Sequence, residues 1–197
     1  MSATRVLLVR HGETDWNARG VYQGWRDVPL NARGRLQARA LATSLADVAI
    51  DAAYSSPLAR ARETAEIALG ARFVRARSVS ALRELSYGEW EGLAPEERRA
   101  GWPLLEERWT TDPWRVQFPG GESLDTLAGR VLPVWEKLLA AHAGETILLC
   151  GHGHLNRVIV LHARRLPRAE FWTVAQPNGS ATMLECVPAA EFAEVAG

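Results

Sequence analysis

Two short apolar runs in this 197-residue chain each stop abruptly at a histidine flanked by glycine. Val6-Leu7-Leu8-Val9 ends in Arg10-His11-Gly12, and Thr146-Ile147-Leu148-Leu149-Cys150 ends in Gly151-His152-Gly153-His154. Apolar runs of this length read as buried strands. In open α/β sheets the reactive groups lie just past the carboxyl ends of strands, which is where both histidines fall. An arginine beside the first histidine, with a glycine that lets the backbone turn closely, suits an imidazole that attacks an anionic group such as phosphate.

Strand and helix patterns alternate along the chain. Residues 5–10 read as a strand, followed by a long glycine- and tryptophan-containing loop to about residue 31. Asn31 is an N-cap for a helix over about 32–46, with Leu36, Ala40, Leu41 and Leu45 on one face. Ala52 to Ser55 is a short strand, Pro57 fits the first turn of a helix reaching about Leu69, and Phe73-Val74 is a further candidate strand. Residues 94–114 read as irregular or weakly helical. Ser123 caps a long helix to about His142, in which Leu124, Leu127, Val131, Trp135 and Leu138 recur at helical spacing and Pro133 is expected to kink or divide the helix. The strand at 146–150, a helix from about Leu155 to Ala163 and a strand near Ala181 to Cys186 complete the order. No repeat, linker or charge run marks a boundary. The expectation is one α/β domain over 1–197, a three-layer α/β/α sandwich.

Composition limits the partners. With 23 basic and 23 acidic side chains there is no global field for nucleic acid or membrane. The balance is uneven, since residues 1–77 hold 12 arginines against 7 acids, which suits an anion site or a set of solvated arginines. Two cysteines are too few for a disulfide framework, and Cys150 reads as a small buried side chain. Neither a signal-peptide-like run nor a membrane-length apolar segment is visible, so a cytoplasmic protein is expected.

Two more segments carry chemistry. Ser55-Ser56-Pro57-Leu58-Ala59-Arg60-Ala61-Arg62-Glu63-Thr64-Ala65 follows the second strand and opens a helix. Leu82-Arg83-Glu84-Leu85-Ser86-Tyr87-Gly88-Glu89-Trp90-Glu91-Gly92 places an acid after a third apolar segment. With these four segments in this order, over roughly residues 5 to 160, the chain resembles the histidine phosphatase superfamily, the phosphoglycerate-mutase-like enzymes. That resemblance implies a mixed, mostly parallel sheet.

Cleavage of a phosphate monoester needs a nucleophile, a cage for the phosphoryl oxygens and a proton for the leaving alkoxide. His11 is the candidate nucleophile, its second ring nitrogen held as a donor by a nearby carbonyl. Arg10, Arg60 and His152 are the candidate cage. The resemblance selects Arg60 over Arg62 and makes His152 a second phosphate-binding histidine, expected to be cationic. The competing reading for Arg60 is a surface pair with Glu63. Glu84 is the candidate general acid, with a pKa raised beside phosphate, and Glu89 and Glu91 are nearby alternatives. By resemblance Asn17, Gln23 and Gly24 touch the phosphoryl group or substrate, although Thr14 to Asn17 can equally be a local turn. His152-x-His154 lacks a third ligand and the chemistry needs no metal or cofactor, so neither is expected. The role of His154 is open.

The family's variable, substrate-covering segment falls at 95–118, where Trp102, Trp109 and Trp114 would either accept an apolar phosphate ester or pack a satellite core. The Trp-Glu-Gly element after the acid resembles the phosphatase branch, including broad-specificity and α-ribazole phosphatases, more than the mutases. The alternatives are a cofactor-dependent phosphoglycerate mutase and a non-catalytic module of the same fold. Loss of His11, Arg60 or His152 would mark the latter, and all three are present. The expected partner is a small phosphate ester, and relatives are monomers or homodimers.

Overall fold

In the computed structural model, which describes residues 2–189, the first strand lies inside the sheet rather than at its edge. Strand β1 (Thr4–Arg10) pairs in parallel with β4 (Thr146–Gly151) and antiparallel with β5 (Ala181–Cys186). With β2 (Ala52–Ser55) and β3 (Ala76–Ser78) the sheet order is β3-β2-β4-β1-β5. Four strands are parallel and only the β5 edge runs the other way, so the expected mixed, mostly parallel sheet is present. Met1 and residues 190–197, which belong to the single domain expected over 1–197, lie outside the described residues.

Side chains alternate across the pleat, and both faces of β1 are buried. Leu7 and Val9 join Leu148 and Cys150 in a cluster with Leu41 of α2 (Ala32–Ser44), Leu45 at its C-terminal cap, and Ala61, Ala65 and Leu69 of α3 (Ala59–Leu69), after the one-turn α1 (Asp15–Ala18). Val6, Leu8, Ile147 and Leu149 face the opposite layer, which contains α6 (Leu124–Ala141) and α7 (Gly153–Ala163). Each fully buried Leu or Val contributes about 1.5–3 kcal/mol, so the central strands are fixed by both layers at once. The three-layer sandwich follows.

Four local expectations need correction. Residues 94–114 are two short helices, α4 (Pro95–Gly101) and α5 (Pro103–Thr111), each begun by a proline whose missing N–H costs nothing at a helix start. Phe73-Val74 is not a strand; the strand is Ala76–Ser78, and Phe73 is fully exposed. Pro133 does not divide α6, because Pro133 and Gly129, four residues earlier, both face solvent and water can satisfy the freed carbonyl. Helix α2 buries Gly34, Ala38, Leu41 and Leu45 and leaves Leu36 and Ala40 exposed. Its small face turns inward because Gly34 lies against the Glu13 backbone, where a Cβ would meet the carbonyl oxygen at 2.1 Å.

Candidate active site

The parallel register of β1 and β4 sets Arg10 opposite Gly151, so the next residues, His11 and His152, leave adjacent strand ends side by side. The His11 amide donates to the Gly151 carbonyl at 3.1 Å, and the two rings lie 5.1 Å apart, edge to face. Both rings are buried. His11 Nδ1 is 2.6 Å from the Gly12 carbonyl, which can only accept, so Nδ1 carries the ring hydrogen and Nε2 presents a lone pair. Burial holds the His11 pKa well below the ordinary histidine value, helped by Arg60, His152 and Arg10 and opposed by the Gly12 hydrogen bond. The ring is neutral at pH 7.

Two guanidinium groups flank this pair, and a third lines the cavity beside His11. Arg10 at the end of β1 is tied by Nη1 to the Gln176 carbonyl, and Gly153 lets α7 approach it, since a Cβ there would lie 3.3 Å from Arg10 Cζ. Arg60, in the first turn of α3, is turned inward and buried, with Nη1 on the Arg26 carbonyl and Nη2 on the Gly24 carbonyl, each at 2.8 Å. Burial brings the Arg60 pKa down to about 10, which still leaves it charged. The surface pair with Glu63 does not form; Glu63 binds Arg35 at 2.6 Å. Arg10 Nε, Arg60 Nε and both ring nitrogens of His152 are buried without a protein partner, and an oxyanion could accept from the two guanidinium N–H groups and from the one ring N–H of His152. The third guanidinium, Arg157 on α7, lines the same cavity of about 140 Å³.

Glu84 lines the cavity as well, whereas Glu89 is exposed and Glu91 braces a loop by accepting the Trp25 and Tyr87 amides. The Glu84 carboxylate sits on the first turn of α7, accepting the Leu155 amide at 3.0 Å and the His154 amide at 3.2 Å, along with the Leu85 amide at 2.9 Å. Burial pushes its pKa up, but the contacts to His154, the neighbouring His152 and the Leu85 amide outweigh this and hold it well below the usual carboxylate range. Burial alone therefore does not raise it, because the helix start stabilises the anion. The expected cation at His152 is corrected. Burial and Arg60 hold its pKa well below the ordinary value against the opposing pull of Glu84, so its ring is neutral at pH 7.

Asn17 and Gln23 line the cavity. Asn17 also closes a capping box with Thr14 and accepts from Asn178, so the local turn and the site position coexist. Gly24 contributes its carbonyl to Arg60 from a left-handed backbone (φ 49°), packed where a Cβ would strike Glu91. His154 diverges from His152; its Nδ1 bonds the Tyr87 hydroxyl and its ring stacks on Phe171 at 5.6 Å. Among the described residues no group of three or more His, Cys, Asp or Glu has metal-binding geometry.

The segment 95–118 contributes no lining residue. Trp109 is buried beneath the wall and donates its indole N–H to the Tyr22 hydroxyl at 2.8 Å, while Arg98 lies 4.3 Å over the Tyr22 ring. Trp102 and Trp114 pack on the core, so the satellite-core reading of these tryptophans is the observed one. Tyr22, Tyr87 and Arg157, with Gly20 and Val21, are lining residues to which the sequence assigns no role. The available signal for Arg157 was its place one helical turn beyond His154 on α7.

A parallel α/β sheet whose strand ends carry paired imidazoles and buried guanidinium groups defines an oxyanion-binding α/β enzyme class. The family model for the histidine phosphatase superfamily (branch 1) matches residues 6–194, and the chain belongs to that superfamily. It is 32% identical to phosphoserine phosphatase 1 of Hydrogenobacter thermophilus, over 91% of this chain and 85% of that protein. It is 32% identical to a 2,3-bisphosphoglycerate-dependent phosphoglycerate mutase of Parvibaculum lavamentivorans, over 91% of this chain and 89% of that one. The solved structure of Bacillus stearothermophilus YhfR superposes with a TM-score of 0.87 at 33% identity, covering 92% of this chain and 90% of that one.

Proposed function

We propose that this protein hydrolyses small phosphate monoesters through a phosphohistidine on His11. The observation that carries the reading is the Nδ1–Gly12 carbonyl contact at 2.6 Å, which leaves a neutral imidazole lone pair beside Arg10 and Arg60. The His11 Nε2 lone pair forms the N–P bond as the ester P–O bond breaks and its electrons go to the leaving oxygen. Arg10, Arg60 and His152 bind the equatorial oxygens, whose charge they hold through the transition state. Glu84 delivers a proton to the leaving oxygen, then takes one from the water that attacks phosphorus and releases His11. A phosphate dianion beside Glu84 favours its protonated form, since neighbouring negative charges resist joint ionisation. The acid is made by the complex.

Membership of the superfamily and the named phosphatase relative support hydrolysis. The mutase relative makes phosphoryl return to a second hydroxyl the other outcome to measure. We take the reaction to need no metal, the protein to be a monomer or homodimer that binds neither nucleic acid nor membrane, and its compartment to be the cytoplasm. Two unpaired cysteines support the last point, and no helix among the described residues is long and apolar enough to cross a membrane.

Rapid quench with ³²P-labelled ester tests the reading. The expected result is an acid-labile, base-stable adduct on His11 and net retention at a chiral phosphorus. Turnover with inversion and no trapped adduct would overturn it. Adding 3-phosphoglycerate with 2,3-bisphosphoglycerate separates phosphate release from isomer interconversion.

A further inference from the structure

Arg157 projects from α7 into the cavity that holds His11, one helical turn beyond Gly153 and about 6 Å along the axis. Its Nε donates to the Val174 carbonyl at 3.0 Å, and its guanidinium lies 5.3 Å from the Trp172 ring and 5.8 Å from the Phe171 ring. One carbonyl and two aromatic faces therefore fix its plane. Its two terminal nitrogens make no hydrogen bond within the described residues, and no carboxylate there lies within 4.0 Å of it. Held in this way with its terminal nitrogens unpaired, the half-buried cation is oriented to receive an anion.

Charge counting sharpens the point. Arg10 and Arg60 balance a phosphate dianion, and Arg157 offsets the Glu84 carboxylate across the cavity. When Glu84 takes up the proton it must donate, Arg157 becomes the cation of the cavity that nothing described neutralises. The remaining walls, Tyr22, Tyr87 and His154, have polar edges, and about 140 Å³ has room for a phosphoryl group beside them.

We propose that Arg157 is a second anion-binding position, and that the preferred substrates are small phosphate monoesters whose alcohol part carries another anionic group. The proposal rests on the hydrolase reading above. It assigns to an arginine on α7 the choice between esters, and leaves bond cleavage to the groups around His11.

The test uses matched ester pairs on the full-length protein. D-3-Phosphoglycerate is compared with glycerol 3-phosphate, and propane-1,3-diyl bisphosphate with 3-hydroxypropyl phosphate, so that a carboxylate and a second phosphate are probed separately. Wild type should favour the doubly anionic member of at least one pair. Arg157→Gln should lower that kcat/KM preference by about ten- to a hundred-fold, chiefly through KM, as loss of a charged hydrogen bond does. Arg157→Lys should restore part of it. No preference in wild type, or equal losses for both members of each pair, would overturn the proposal and mark Arg157 as a clamp for Phe171 and Trp172. Absence of any ester hydrolysis by wild type would instead strike the parent reading, so the two failures are distinct.

Discussion

Glu84 caps helix α7 from outside: its Oε1 accepts the Leu155 amide at 3.0 Å. Glu84→Gln keeps an acceptor for that amide while removing the transferable proton. Hydrolysis of alkyl phosphates should therefore fall at least a hundred-fold, and that of p-nitrophenyl phosphate much less, because nitrophenolate leaves without protonation. Steady-state rates on the two substrates, with Tm as a control for folding, check this. Equal losses would remove Glu84 from the donor role.

His11→Ala should abolish both the trapped adduct and turnover, by at least a thousand-fold. Folding should survive, since the ring's one protein hydrogen bond is to the neighbouring Gly12 carbonyl. Far-UV circular dichroism and rapid quench report the two halves.

Three buried histidines, His11, His152 and His154, have pKa values pushed below 6.5, in each case by burial first. The unfolded chain thus binds more protons than the native one below pH 6.5. Their stabilising effect is complete above that value and is lost as pH falls toward the native pKa values, by up to about 1.4 kcal/mol per pH unit for each ring. Urea unfolding between pH 7.5 and 5 should show stability already dropping below pH 6.5. A flat profile down to pH 5 would contradict neutral burial.

Gly12→Ala should destabilise the fold by more than 2 kcal/mol. A Cβ there would lie 2.4 Å from the Gly34 carbonyl oxygen, so one backbone must retreat from another. Denaturant midpoints give the value, and a loss within 0.5 kcal/mol would show that the contact can relax.

Trp109→Ala should cost about 3–5 kcal/mol for a buried indole and raise KM by freeing the Tyr22 hydroxyl. Trp109→Phe keeps most of the packing and loses the hydrogen bond alone. If Trp109→Phe matched Trp109→Ala in KM at little stability cost, the hydrogen bond would be the wall's essential tie.

The central strands were legible because Val6–Val9 and Ile147–Cys150 are apolar on both faces, a pattern that surface structure does not produce. The gathering of His11, Arg60 and Glu84 at one cavity, with His152 packed edge to face against His11, followed from motifs that end strands or open helices. Strand β3 was misplaced because three residues, Ala76–Ser78, carry too little alternation to compete with Phe73-Val74 nearby. Helices α4 and α5 were hidden by mixed tryptophan and charge, although Pro95 and Pro103 mark their starts. The ionisation of Glu84 and His152 was out of reach, since it depends on amides and cations far away in sequence. Arg157 looks in one dimension like any helical arginine; only the fold shows that it shares a cavity with His11.

The position of β1 between β4 and β5 also has a kinetic consequence. Strand β1 finds both lateral neighbours only after residues 146–186 have been made. Until then Arg10 and His11 sit on an apolar ribbon with two open edges, and closure requires very long loops to come together. A chain arrested before residue 146 lacks His154 and Arg157 of the cavity and leaves both edges of β1 unpaired.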